Sequence, residues 1–237
     1  MGSTEEPLPN GIHHYTEVEE VPSQILKYWH RRHEIFSKYD EGVWMTDDVW
    51  FGVTPEPIAQ QIATEVARAP PSKTIIIDAF GGAGGNVIHF ALSGRWSRIF
   101  LVEKDATVLQ CAKRNAEIYG VRKKIWFIHG DSFEVLQEQL KGISKDAVIF
   151  GSPPWGGPSY TSHNVFDLSV MQPYSLMDLH SAFSKASDHY VLYLPRTSDL
   201  RQIAELAQKD KKLDVIHYCM HGHSNALCVY FGSFAEP

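Results

Sequence analysis

The sequence is poor in cysteine, in net positive charge and in long apolar runs, and each shortage closes off a class of protein. Cys111, Cys219 and Cys228 are the three cysteines in 237 residues, an odd number without a C-x-x-C pair. That excludes a disulfide framework and points to free thiols in a reducing compartment rather than to secretion. Lys and Arg number 22 against 28 Asp and Glu, a net charge of −6. No extended basic face is therefore expected to coat long nucleic acid through its phosphates, which leaves room only for a local basic pocket. No apolar run approaches the ~18 residues needed to span a bilayer, and residues 1–11 are polar rather than signal-like. Neither a membrane nor a metal is expected as a partner.

What remains is an ordinary globular composition, 43% hydrophobic and 21% charged. The length fits one α/β domain with a short extension, since a domain takes ~100–200 residues. Residues 1–22 are expected to be a flexible lead, 23–53 a helical and loop extension, and 54–237 the core. Ser23 is a plausible cap for one amphipathic helix carrying Ile25, Leu26, Trp29, Phe36 and Tyr39, with Lys27, Arg31, Arg32 and Lys38 on its basic side. Thr54-Pro55-Glu56 predicts a second helix, with Thr54 as cap. Strands are then expected at 74–77, 98–102, 124–128, 147–150, 190–194, 214–218 and 226–231. Helices are expected between them at 86–93, 106–119, 133–141, 175–187 and 199–209. This alternation predicts an α/β, Rossmann-like fold, a seven-stranded, mostly parallel sheet with helices on both faces and a small helical extension.

The first strand runs from Ile75-Ile76-Ile77 into Asp78-Ala79-Phe80-Gly81-Gly82-Ala83-Gly84-Gly85. A loop stripped of side chains at a strand's carboxyl end lets backbone approach a ligand closely. Glu103 closes the second strand, 21 residues beyond Gly82, where a carboxylate accepts from ribose hydroxyls. Val87 occupies the place of the third small residue of a dinucleotide fingerprint, which disfavours a pyrophosphate. A cofactor with a ribose and no phosphates, such as S-adenosylmethionine, fits better, with Asp78 compensating its positive charge. Asp131, after the third strand, suits either an adenine amino group or the cap of the following helix, or both. The fourth strand leads into Gly151-Ser152-Pro153-Pro154-Trp155-Gly156-Gly157-Pro158. Two prolines fix φ and remove N–H donors, leaving an acceptor-rich corner suited to holding an exocyclic amine, with Trp155 offering a face for a flat base. His217, Cys219, His221 and His223 alternate along an expected late strand, and at ~3.3 Å per residue they spread too far for one metal ion.

With these motifs in hand, the sequence resembles the catalytic domain of the trimethylguanosine synthase family, over about residues 24–234. The Ser-Pro-Pro-Trp-Gly-Gly-Pro string and Trp50-Phe51-Gly52-Val53-Thr54-Pro55-Glu56 carry the likeness. The resemblance implies class I methyl transfer from S-adenosylmethionine to the exocyclic N2 of a 7-methylguanosine RNA cap. The product would be the trimethylguanosine cap of small nuclear and nucleolar RNAs, made in the nucleus or nucleolus alongside their ribonucleoprotein partners. It further implies that Ser152, Pro153, Pro154 and Trp155 form the transfer site, with Trp155 stacked on the methylated guanine. Phe36 would close the opposite side of the cap pocket, Asp48 would lie at the guanine edge, and Lys27, Tyr160 and Arg196 would grip the cap phosphates. On the cofactor side stand Thr54, Asp78, Phe80, Gly82, Gly84, Glu103, Asp131 and Ser132. Two positions depart from the family pattern, Gly81 where relatives carry Cys and Asp48 where a Glu is expected. The alternatives are an amino-methyltransferase acting on an adenine or guanine inside RNA or DNA, and a cap-binding module without turnover.

Overall fold

The computed structural model describes residues 7–157, 164–207 and 213–234. Seven strands form one sheet: β1 (Ile75–Asp78), β2 (Arg98–Glu103), β3 (Ile125–His129), β4 (Ala147–Gly151), β5 (Tyr190–Pro195), β6 (Asp214–Met220) and β7 (His223–Phe231). Their order is β3-β2-β1-β4-β5-β7-β6, with β7 alone running opposite to the other six. Each strand begins and ends within three residues of its expected place. Alternation along the strands divides two cores. Ile76, Leu101, Val148 and Phe150 face α3 (Glu56–Val66), α4 (Gly85–Leu92) and α5 (Ala106–Ile118). Ile75, Ile77, Val102 and Ile149 face α6 (Ser132–Gln137), α7 (Leu176–Ala186) and α8 (Leu200–Ala204). Both faces of the central strands are thus covered, which is why they read as unbroken apolar runs.

The extension departs from expectation. The single helix predicted from Ser23 is two short ones, α1 (Leu26–Trp29) and α2 (Arg32–Ile35), followed by a 3₁₀ turn at Tyr39–Glu41. The reason is visible in the spacing. A helix continuing past Trp29 would turn Arg32 or His33 inward, and buried apolar residues resume only at Ile35, Phe36 and Tyr39. Arg32 instead folds its guanidinium over the Trp29 ring, 4.0 Å from the centroid. The expected flexible lead is also corrected over residues 7–22, because Ile12, Tyr15 and Val21 enter the core and His13 pairs with Met45. Thr54 does not cap α3, whose N-cap is Pro55; its hydroxyl accepts from Asn86 Nδ2 at 3.0 Å. Helix α6 ends early, at Gln137, where Leu140 N–H reaches back to Val135 O and Leu140 enters the core. Helix α8 also ends early, at Ala204. The His/Cys alternation does not share one strand: β6 has a register shift at Tyr218/Cys219, and His221 lies in the hairpin turn with φ 52°.

Two buried polar side chains bind the extension to the core. Asn115, on α5, is fully buried; its Nδ2 donates to Trp44 O and to Ala83 O, both at 3.0 Å, and its Oδ1 accepts from Trp44 N at 2.8 Å. One amide thus holds the extension and the glycine loop together. Glu56, on α3, accepts from Ser37 N at 2.6 Å, Ser37 Oγ at 3.0 Å and Tyr119 OH at 2.6 Å. Asn115→Ala would leave three backbone groups without partners in a dry interior, a loss of about 2–4 kcal/mol. Urea unfolding should show a lower midpoint for this variant, and an unshifted midpoint would mean that water replaces the amide.

Candidate active site

Parallel pairing sets Asp78 beside Phe150 and Leu101, so the loops after β1, β2 and β4 leave the same edge of the sheet. There they surround a cavity of about 490 Å3. From the sequence-predicted cofactor set, Thr54, Phe80, Gly82, Glu103, Asp131 and Ser132 line it. From the acceptor set, Lys27, Asp48, Ser152, Pro153, Pro154 and Trp155 line it. The two halves share one chamber.

The glycine loop is shaped for a ligand. Gly82 lines the cavity with φ +51°, and a Cβ there would meet nothing within 4 Å, so the space above it is open. Gly82 N–H donates to Glu103 Oε2 at 2.9 Å, while Oε1 accepts from Asp105 N at 2.9 Å. The Glu103 carboxylate is thereby held at the lip of the loop. Gly81, the position departing from the family pattern, has no room for a side chain, since a Cβ would collide with Leu101. Gly84 is a correction: it is absent from the lining, and its left-handed φ of +93° starts α4 against Ala112.

Asp78 sits immediately behind the wall formed by Ala79 and Phe80, 1% exposed, and neither carboxylate oxygen has a hydrogen-bond partner of good geometry among the described residues. Burial pushes its carboxyl up to about 7; nearby N–H groups of Phe80 and Val87 offset this only in part, and the Glu103 charge adds to it. Asn86 Oδ1 is likewise buried without a donor. These orphaned acceptors call for a cationic or N–H-bearing partner. Asp131 caps α6 through Phe133 N at 3.0 Å and also accepts from Tyr174 OH at 2.7 Å and Lys104 Nζ at 3.3 Å. Partial burial opposes ionisation, yet the Tyr174, Phe133 and Lys104 donors hold its carboxyl below the ordinary value. Ser132 Oγ donates to Ala79 O, tying this turn to the tip of β1.

On the acceptor side, Trp155 is half-buried, its indole N–H donating to Tyr193 O at 3.3 Å and its ring stacked on Tyr193 at 5.6 Å. The Ser152 hydroxyl has no hydrogen-bond partner among the described residues. Phe36 is the second correction: 2% exposed, it packs in the core against Tyr119 and does not line the cavity. The rings that line it from the extension are Tyr28 and Phe51, set edge to face at 5.5 Å. Arg196 is exposed just past β5 and lies outside the lining, without an ion-pair partner among the described residues. Tyr160 lies outside the described residues. Sequence reasoning missed Tyr28, Phe51, Asn86, Lys104 and Tyr174, which line the cavity. Asn86 was legible as the residue opening the glycine-loop helix. Tyr174 carried no local signal.

Residues 73–234 match the family model for RNA cap guanine-N2 methyltransferase. The chain belongs to that family. It is a methyltransferase that takes its methyl group from S-adenosylmethionine and acts on the N2 of a cap guanine. It is 34% identical over 212 residues to a trimethylguanosine synthase of Schizosaccharomyces pombe, covering 89% of this chain and 87% of that protein. It is 37% identical over 188 residues to the enzyme of the same name from Saccharomyces cerevisiae, covering 78% of this chain and 59% of that protein. Its fold is like that of a solved S-adenosylmethionine-dependent methyltransferase from Agrobacterium tumefaciens, with a TM-score of 0.57 at 15% identity over 76% of this chain and 63% of that one. The methyltransferase's own residues fit the cofactor: an open cradle at Gly82, a carboxylate at Glu103 and the buried acceptor Asn86 Oδ1 line the cavity, with the Asp78 carboxyl behind its wall.

Native Asp78 keeps its proton up to about pH 7, whereas an unfolded aspartate loses it near 3.8. Between those values the native chain holds the extra proton, so stability falls as pH rises and the loss is complete above about pH 7. Asp78→Asn should remove this dependence. Without cofactor, the variant should melt above the parent at pH 8, with the gap narrowing toward pH 5, and calorimetry should show weaker cofactor binding. Parallel melting-temperature curves for the two proteins would refute the buried-carboxyl reading.

Proposed function

We propose that this methyltransferase converts 7-methylguanosine caps to 2,2,7-trimethylguanosine on small nuclear and nucleolar RNAs. The observation that carries the reading is the single chamber in which the Ser152–Trp155 corner faces the glycine loop and Glu103. When bound, S-adenosylmethionine supplies an electrophilic methyl group on a sulfonium centre. The chain's task is then to present an amine. Pro153 and Pro154 offer carbonyls and no N–H, and with the Ser152 hydroxyl they accept from an exocyclic NH2 and turn its lone pair inward. A guanine amine is a weak nucleophile, so positioning supplies much of the rate, and no nucleophilic side chain is required. Trp155 holds the base flat, and its face favours the positive charge that N7 methylation places on the purine. Asp48 serves the guanine edge, and Lys27, Arg196 and Tyr160 the phosphates.

The small nuclear and nucleolar RNAs, their ribonucleoprotein partners and residence in the nucleus follow from this substrate reading. The net charge of −6 supports an enzyme that grips a cap over one that tracks an internal base along a polymer. Labelled S-adenosylmethionine offered with 7-methylguanosine triphosphate, GTP or uncapped RNA separates the possibilities, transfer to the first alone being expected. Trp155→Ala should raise the KM for 7-methylguanosine triphosphate by roughly tenfold or more, the scale of one lost base stack. Cofactor affinity should stay near the parent's, and a parallel loss of both would make Trp155 a core residue.

A further inference from the structure

Helix α7 begins at a closed capping box, in which Ser175 Oγ accepts from Asp178 N at 3.2 Å and Asp178 Oδ2 accepts from Ser175 N at 2.9 Å. The chain entering this helix is pinned on both sides, with Met171 at 1% and Leu176 at 3% exposed. Between these anchors Pro173 and Tyr174 line the chamber. The Tyr174 ring packs on Phe133 at 4.4 Å and on Phe80 at 5.9 Å between centroids, and its hydroxyl donates to Asp131 Oδ2 at 2.7 Å. A fixed helix start thus delivers one donor to a carboxylate of the cavity wall, across 43 residues of sequence.

That carboxylate stands beside the acid suited to the ribose. Glu103 pairs with His129 in the β2–β3 ladder, and Gly130 N–H donates to Glu103 O at 3.0 Å, so Asp131 leaves β3 next to Glu103. Three donors of good geometry hold Asp131: Phe133 N on Oδ1 at 3.0 Å, and Tyr174 OH and Lys104 Nζ on Oδ2 at 2.7 and 3.3 Å. A carboxylate accepts about four hydrogen bonds, so capacity remains for one more. Lys104 is exposed and its ion pair is weak, which leaves Tyr174 as the principal side-chain anchor. Burial, the hydrogen bond to Asp131 and the Asp131 charge push the Tyr174 hydroxyl up to about 12, so it keeps its proton and stays a donor.

We infer that Tyr174 sets the nucleobase specificity of the cofactor site, as a positioning residue that fixes Asp131 so that its remaining acceptor capacity faces the chamber and selects the exocyclic amine of adenine. A carboxylate held there attracts a 6-amino group and repels the 6-oxo group of hypoxanthine. One left free to rotate would lose part of both effects. Packing on Phe133 and Phe80 needs only the ring, so the hydroxyl is the part that serves Asp131. The inference concerns the cofactor half of the chamber and holds whichever RNA is the acceptor.

Calorimetry without RNA compares S-adenosylhomocysteine, the product left by methyl transfer, with its inosine counterpart, in which oxygen replaces the amine. The parent should prefer the adenosine compound by roughly thirtyfold or more, the scale of one hydrogen bond to a charged group. Tyr174→Phe, which keeps the ring contacts, should bind the adenosine compound about tenfold more weakly and the inosine compound near the parent's level. In an Asp131→Asn background, where the amide still caps α6, the same change should leave the ratio of the two affinities where it is, because Tyr174 acts through the carboxylate. A further fall of the ratio in that background would overturn the inference. Equal weakening of both compounds by Tyr174→Phe, or no change in either, would overturn it too. A parent without preference would remove Asp131 from the base, and the inference with it. None of these outcomes bears on cap transfer, which the labelled-methyl experiment reads.

Discussion

The structure depends on one register. Asp78 at the tip of β1 stands beside Phe150 near the tip of β4, and the parallel ladder allows no other arrangement without turning each strand's apolar residues to the wrong core. Because the strands run the same way, the glycine loop and the Ser152–Trp155 corner emerge side by side. A methyl donor and a methyl acceptor can then meet in one chamber, although about 70 residues of sequence separate their binding segments. The sheet contributes no chemistry of its own; it aligns the loops that do.

A second constraint is polar. Asn115 ties Trp44 to Ala83, and Glu56 ties Ser37 to Tyr119, so the extension that delivers Lys27, Tyr28 and Asp48 is bonded to the same core as the cofactor loop. Buried amides and carboxylates of this kind stabilise a unique geometry only while every partner is present. Asp78 and Asn86 Oδ1 break that pattern, without good partners among the described residues. A cationic ligand in the adjoining cavity would offset part of that local cost.

Most of the site was legible because the chemistry sits in short strings at strand ends. Phe80, Gly82 and Glu103 on one side, and Ser152 to Trp155 on the other, could be located from the strands that precede them. The misreadings have physical causes. Phe36 was expected on the same helix as Lys27, but the break between α1 and α2 turns it into the core, and Tyr28 and Phe51 line the cavity instead. Gly84 looked like part of the cradle, yet its left-handed φ serves the turn into α4. Tyr174 comes from a segment without periodic pattern, and its hydrogen bond to Asp131 and its ring contacts with Phe133 and Phe80 give it a place.

The sequence by itself determined the alternation of strands and helices, the small-residue loop and the proline corner, because these are written in local periodicity and in backbone freedom. Tertiary structure decided which aromatic rings face the cavity, how the extension folds, and where a second, smaller cavity opens against Trp155. Those outcomes depend on contacts between residues far apart in the chain, such as Asn115 with Trp44 and Tyr193 with Trp155, and no local pattern encodes a distance across the fold.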